Sequence, residues 1–221
     1  MRVRNFLLMV ALVLMSGLSV GRLQAQFVKG LPADSFKDKS MLKPAPGSKV
    51  SVIVFEDLGC PGCARAHPIE IAATEKYHCP LVRYDFPIAA HVWTFEGAVC
   101  ARYLQDKVSP KVANDYRSAV FLSQSTILNK DDLQRFTQRW MQQHGLQMPF
   151  VMDPKGELAA KVKADYDLGM RMGLRFTPTI IVVTQDKYQA VTGMTQQDDP
   201  NRLYAALEAA VAETKGGPVR R

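Results

Sequence analysis

The stretch VIVFEDLGCPGCARAHP, residues 52–68, decides the reading of this chain. A β-branched apolar run ends in two acids and a glycine, and two cysteines, Cys60 and Cys63, follow two residues apart. Three chemistries use such a pair: electron exchange through a reversible disulfide, half of a metal site, or an inert bridge. The flanking residues weigh between them. KVSVIVFED (49–57) has the composition of a buried strand. CARAHPIEIAATEKYH (63–78) has helical composition, with apolar residues at Ile69, Ala72, Ala73 and Tyr77. CPLVRYDFP (79–87) reads as a second strand. The order predicts a βαβ unit with the cysteines at its first strand-to-helix junction.

That position favours redox chemistry. A helix N-terminus offers unpaired backbone N–H groups and the positive end of the helix dipole, and both favour thiolate over thiol. One turn of helix brings Cys63 within reach of Cys60, so one sulfur can attack a substrate and the other can resolve the mixed disulfide. Pro61 suits a first helical turn, where its missing N–H would be unbonded anyway. Gly62 puts no side chain beside the sulfurs. A zinc or copper site would need two more ligands, and Cys79 and Cys100 are not spaced as a second CxxC pair. No metal and no cofactor is expected, although the metal and inert-bridge readings stay open on the residues alone.

The rest of the chain sets the context. It has 221 residues, 47% of them apolar, which is enough for a sizeable core. Residues 1–25 read as a signal peptide: Arg2 and Arg4 precede the short apolar run FLLMVALVLM (6–15), and LQAQ offers cleavage after Ala25. The apolar run is short for a membrane span. The expectation is an exported, periplasmic protein, in a compartment that permits disulfides. Three of the charges behind the net +7 (Arg2, Arg4 and Arg22) would leave with the leader. The remaining Lys and Arg are scattered, so nucleic acid is not an expected partner. Residues 26–48, with GLPAD and KPAPGSK, read as an irregular arm. Residues 87–173 read as a helical block; within it Asp131 or Asp132 can cap a helix that Gly145 ends, and another helix begins near Gly156. TPTIIVVTQ and YQAVTG read as strands joined through Gln185 to Lys187, and DPNRLYAALEAAVAE as a closing helix.

Three segments, FEDLGCPGCARAHP, YDFPIAAH and MGLRFTPTIIV, resemble the thioredoxin superfamily, and more closely its DsbA-like exported thiol-disulfide oxidoreductases. The resemblance covers roughly residues 48–213. It implies an α/β chain of thioredoxin fold with an inserted helical block: residues 49–86 and 174–215 form the thioredoxin-like domain and 87–173 the insertion. It implies Cys60 as nucleophile and Cys63 as resolving cysteine. Pro68 matches the proline that kinks the active-site helix. Pro178 matches a cis-proline facing the Cys60 sulfur, with Thr177 offering its backbone to a substrate peptide. The implied partners are cysteine-containing exported proteins and a membrane quinone-linked acceptor. The implied activity is DsbA-like oxidation. A disulfide reductase or isomerase, or a non-catalytic metal-binding or chaperone module on the same fold, is the alternative. A monomer is expected, because the arm is too short for the added domain through which some isomerases dimerise.

Two departures stand out. The acid often found six residues before the first cysteine is replaced by Val54, so Glu56, Asp57 or a water must take its part; strand alternation sets Val54 and Glu56 on one face and Asp57 on the other. Both acids could equally be a solvated strand end. Strongly oxidising relatives have Pro-His between the cysteines; Pro-Gly here implies a weaker oxidant. Cys79 and Cys100 either form a structural disulfide or stay free. His67 shares the helical face of the pair and either tunes it or packs beside Pro68. His91 is expected to cap the first inserted helix, and Trp93, Phe95 and Phe121 to lie in the core; Met170, Met172 and Met194 either line an adaptable substrate surface near the Pro178 loop or belong to the core.

Overall fold

Strand β1 (Val50–Glu56) is buried along its whole length, because both faces of the sheet are covered. A computed structural model describes residues 36–191 and 201–216; the expected signal peptide and Met194 lie outside the described residues. After β1 come α1 (Pro61–Tyr77), β2 (Leu81–Asp85), α2 (Thr94–Lys107), α3 (Pro110–Leu122), a single 3-10 turn (Gln124–Thr126), α4 (Lys130–Gln143), α5 (Glu157–Met172), β3 (Thr179–Thr184), β4 (Tyr188–Val191) and α6 (Asn201–Gly216). The sheet order is β2-β1-β3-β4. β1 runs parallel to β2 and antiparallel to β3, and β3 is antiparallel to β4. This is the thioredoxin fold with an inserted helical block, as the resemblance implied. Among the described residues no helix is long and apolar enough to cross a membrane.

Strand alternation divides the core. Val50, Val52 and Val54 pack on one face against Ala66 and Ala73 of α1 and Leu203, Ala206 and Leu207 of α6. Ile53 and Phe55 pack on the other with Met172 of α5 and with Phe36 and Leu42 of the arm. The arm's described residues, 36–48, form no helix or strand, and these two anchors hold them down. A third core lies within the insertion, around Tyr116, Val120, Leu133, Trp140 and Met141, and reaches the junction at Leu58 and Cys63.

Several local expectations shift. Asn129, not Asp131 or Asp132, caps α4 by accepting the Asp132 amide (2.9 Å), and Asp132 reciprocates from its side chain to the Leu128 amide (3.1 Å). Gly145 does end that helix, at φ 68°. Phe95 is 38% exposed rather than core. The buried stripe of α2 runs through Thr94, Gly97, Ala98, Ala101 and Leu104, and Phe95 falls one position off it. Trp93 and Phe121 are buried, as is Met172, while Met170 is exposed.

The insertion is tied to the sheet by buried charge. Arg117 of α3, 2% exposed, donates to Glu56 Oε1 (3.1 Å) and to Asp85 Oδ1 (2.7 Å), spanning the ends of β1 and β2. Arg83 donates to Glu56 Oε2 at 2.5 Å, and Arg102 donates to Asp85 Oδ2 (2.6 Å) and to Asp165 of α5. Glu70 is less well served. Its Oε2 is 3.5 Å from Arg83 and has no hydrogen bond among the described residues, because Arg83 satisfies Glu56 first. Burial therefore outweighs the guanidinium and raises the Glu70 carboxyl to about 8.

Two consequences can be measured by denaturant unfolding. Arg117→Met should cost about 3–5 kcal/mol, because Glu56 and Asp85 lose a buried partner; exposed Lys111, paired with Asp115, should cost under about 1 kcal/mol when changed to Met. Glu70 holds its proton more tightly folded than unfolded, so stability should fall as pH rises from its ordinary value of 4.5 through about 8. Glu70→Gln should flatten that decline; an unchanged slope would remove Glu70 as its source.

Candidate functional site

Cys60 is the N-cap of α1 and Pro61 its first helical residue. The Cys60 side chain makes no cap hydrogen bond within normal limits, but the unpaired Cys63 and Gly62 amides of the first turn lie on the side of its sulfur and favour the thiolate. The Cys60 thiol is pulled down to about 5, first by the Cys63 S–H, then by Thr177 and by the backbone N–H groups of Cys63 and Gly62, against partial burial that pushes it up. Cys63, 2% exposed, moves the other way: burial raises its thiol well above the ordinary value, and the Cys60 and Glu56 charges add to the rise. The Asp57 amide donates to the Cys63 sulfur at 3.5 Å. One sulfur is thus half-exposed and ionised near neutral pH, and its partner is buried and protonated.

The opposite wall is the Thr177–Pro178 loop, whose peptide bond is cis. The Cys60 thiol donates to the Thr177 carbonyl at 3.4 Å. Among the described residues the buried Thr177 hydroxyl has no hydrogen bond of its own. When Cys60 is a thiolate the carbonyl has no proton to accept, and the hydroxyl is the group left to donate to it. Gly62 explains how close this loop comes. A Cβ there would lie 3.3 Å from Pro178 Cδ and 3.5 Å from the Cys60 sulfur. Gly59 is tighter still, since a Cβ would sit 2.6 Å from Thr94 Cγ2 and 3.0 Å from His91. Gln124 Nε2 clamps the junction from the insertion, donating to the carbonyls of Leu58 (2.7 Å) and Cys60 (3.0 Å). Its spacing in the sequence carried no sign of this role.

The acids at the end of β1 are both buried, not solvated. Asp57 is 1% exposed and its carboxylate is fully engaged: Oδ1 accepts the Gly59 amide (2.7 Å), and Oδ2 accepts the Ile88 amide (2.7 Å) and His91 Nδ1 (2.8 Å). It shapes the loop that carries Cys60. Glu56 belongs to the arginine network. His67 packs on Phe121, donates from Nε2 to Ser118 Oγ (2.7 Å) and accepts Arg83 at Nδ1 (3.3 Å). Burial first, and Arg83 beside it, lower its imidazole to about 4, so it is neutral. His67 is therefore joined to the charge network rather than bonded to the sulfurs. His91 does not cap α2 with its ring, which is turned to Asp57; its backbone carbonyl accepts the Thr94 amide instead.

Cys79 and Cys100 are unbridged in the structure, the second of the two arrangements the sequence left open. They pack in different cores, Cys79 beside α1 and α6 and Cys100 inside the insertion. Ligand atoms of Glu56, His67 and Glu70 lie within 4.8 Å of one another, an arrangement able to hold a cation. All three face the Arg83 guanidinium, which already supplies the positive charge. That cluster does not fit a metal ion.

A family model described as Thioredoxin matches residues 38–208. No curated protein sequence matches the chain. Solved structures with the same fold include Wolbachia pipientis alpha-DsbA1 (17% identity, 86% of this chain and 98% of that one, TM-score 0.59). Pseudomonas aeruginosa DsbA2 (18%, 82% and 96%, TM-score 0.55) is another, as is a periplasmic thioredoxin-like protein from Salmonella enterica serovar Typhimurium (17%, 76% and 88%, TM-score 0.58). The family match spans both halves of the sheet and the insertion between them, with the cysteine pair at the head of α1 where thiol exchange needs it. On these grounds the chain belongs to the thioredoxin family, and it shares its fold with DsbA proteins of known structure.

Proposed function

We propose that the chain works as an exported oxidant that passes the Cys60–Cys63 disulfide to cysteine-containing proteins. The asymmetry of the two thiols carries this reading, with Cys60 held near 5 and Cys63 pushed well above its ordinary value. A substrate thiolate attacks Cys60 Sγ, and the bond to Cys63 breaks with its electron pair left on Cys63. That sulfur takes up a proton, as its raised pKa favours. A second substrate thiolate then attacks the substrate sulfur of the mixed disulfide. Cys60 departs as a stabilised thiolate, so the substrate leaves oxidised and the pair reduced by two electrons. A low-pKa leaving thiol speeds this last step and favours net oxidation. Thr177 and Pro178 would receive the substrate backbone in an extended pairing. Re-oxidation falls to a membrane quinone-linked partner, in the periplasm, with the protein as a monomer. Gly62, which brings no imidazole to the sulfurs, is the observation that favours the second reading, a reductase or isomerase.

The reduction potential in a glutathione buffer tests the direction. A value nearer −120 than −270 mV, the span from strong oxidant to thioredoxin-like reductant, supports oxidation. Its pH dependence tests the thiol asymmetry. Above about pH 5, reduction takes up one proton, at Cys63, so the potential should fall by about 30 mV per pH unit; below it Cys60 also protonates, and the slope should steepen to about 59 mV. The depressed pKa also stabilises the reduced protein fully above the ordinary value of 9.0, and that gain disappears as pH falls to about 5. Cys60→Ser should abolish oxidation of a reduced multi-disulfide substrate; retained oxidation would dismiss Cys60 as the nucleophile.

A further inference from the structure

Gln124 reaches from the insertion to the backbone of the nucleophile itself. Its Nε2 donates to the Leu58 carbonyl (2.7 Å) and to the Cys60 carbonyl (3.0 Å). Carbonyls only accept, so the orientation of the amide follows: its NH2 group, with two hydrogens, faces them. Gln124 opens the single 3-10 turn, and the chain is anchored on either side of it. Phe121 and Ile127, three residues before and three after, are buried in the insertion core. The Thr126 amide and hydroxyl both donate to the Ser123 carbonyl at 2.9 Å, which closes the turn. The half-buried Gln124 side chain therefore extends from a fixed base to the loop that carries Cys60.

The Cys60 carbonyl accepts two donors, the Ala64 amide at 3.1 Å and Gln124. The Cys60 amide is bound in turn to the Asp57 carbonyl at 3.0 Å. With both ends of the residue held, its sulfur is kept at the Thr177 carbonyl (3.4 Å) and at the first turn of α1. The effect of the clamp differs between redox states. A carbonyl oxygen is the negative end of a dipole and repels a thiolate on the same residue; an N–H on that oxygen offsets the repulsion. In the disulfide the sulfur carries no charge, and the offset has nothing to act on. We propose that Gln124 is a positioning residue that stabilises the reduced, thiolate form of Cys60 and so makes the Cys60–Cys63 disulfide more oxidising. It acts through the two carbonyls. The proposal rests on the thiol-disulfide exchange described above and assigns part of its direction to a residue of the insertion. Both cysteines are free thiols in the structure, so the clamp is in place in the redox state it favours.

The discriminating variant is Gln124→Met, which keeps the length of the side chain and removes the donors. The measurement is the equilibrium with glutathione, in which two glutathione thiols reduce the pair and leave joined as their own disulfide. We expect Gln124→Met to shift that equilibrium toward the protein disulfide by about three- to tenfold, a potential lower by about 15–30 mV. The Cys60 thiolate, titrated in the reduced protein by its ultraviolet absorbance, should lose stability by the same factor, its midpoint moving up by about half to one pH unit. Gln124→Asn, one methylene too short to reach both carbonyls, should move both readouts in the same direction, and it decides alone if Gln124→Met does not fold. A clamp with only a structural role would weaken the oxidised and reduced proteins alike and leave the equilibrium in place, because the potential reads their difference. An unchanged equilibrium in a folded variant, a shift toward the reduced form, or a shift in potential without one in the Cys60 titration would each overturn the assignment. If the wild-type pair did not exchange with glutathione at all, the oxidoreductase reading itself would fall, whatever the variants did.

Discussion

Arg117 sits in the inserted helix α3, but its charge is used at the ends of β1 and β2. At 2% exposure its guanidinium cannot be left unpaired, and neither can Glu56 or Asp85. That mutual requirement fixes where the insertion lies on the sheet. Glu56 is the last residue of β1, and the loop to Cys60 starts one residue later. Whatever holds Glu56 therefore holds the root of the redox loop. Arg83 and Arg102 extend the same pairing to α1, β2 and α5, so three positions of the chain far apart in sequence agree on one geometry beneath the sulfurs.

Above that foundation the loop is shaped by Asp57. Its two carboxylate oxygens accept two amides and an imidazole. Glu56 is likewise committed to two arginines. The strand-end acids thus organise the site through their hydrogen bonds. Cys63 stays protonated because it is buried, and Cys60 ionises first because of the Cys63 thiol, with Thr177 and the amides of the helix terminus adding to it. Neither sulfur depends on a movable carboxylate for its charge state.

The sheet and the first helix were legible in the sequence because their signals are local. A β-branched run and a proline after the N-cap each act within a few residues. The long-range pairings were not legible. Glu56 meets Arg117 across 61 residues and Asp57 meets His91 across 34, and a sequence read locally sees only two acids at a strand end. Cys79 and Cys100 illustrate the same limit from the other side. Cys100 sits within α2, while Cys79 precedes β2 by two residues instead of beginning it, and the two side chains pack in separate cores. The α4 cap moved to Asn129 because the acids at 131 and 132 serve the helix from inside its first turn, where Asp132 reaches back to the Leu128 amide.

Pro-Gly between the cysteines reads in sequence as the loss of a histidine that would hold the thiolate. The geometry gives Gly62 a different consequence. With no Cβ at that position, Pro178 and the Thr177 carbonyl come close to Gly62 and the Cys60 sulfur, and Thr177 is among the groups that lower the Cys60 thiol. The donors on Cys60 are then the Cys63 thiol, Thr177 and two backbone amides, and no imidazole is required to bring it near 5. A side chain at 62 would have to push the Pro178 loop back by a few tenths of an ångström or find its own way out. It would trade a donor from that loop for whatever the new side chain offers. The dipeptide alone therefore does not rank this protein among oxidants, since what a side chain gives elsewhere is supplied here by a loop that can approach because the side chain is missing.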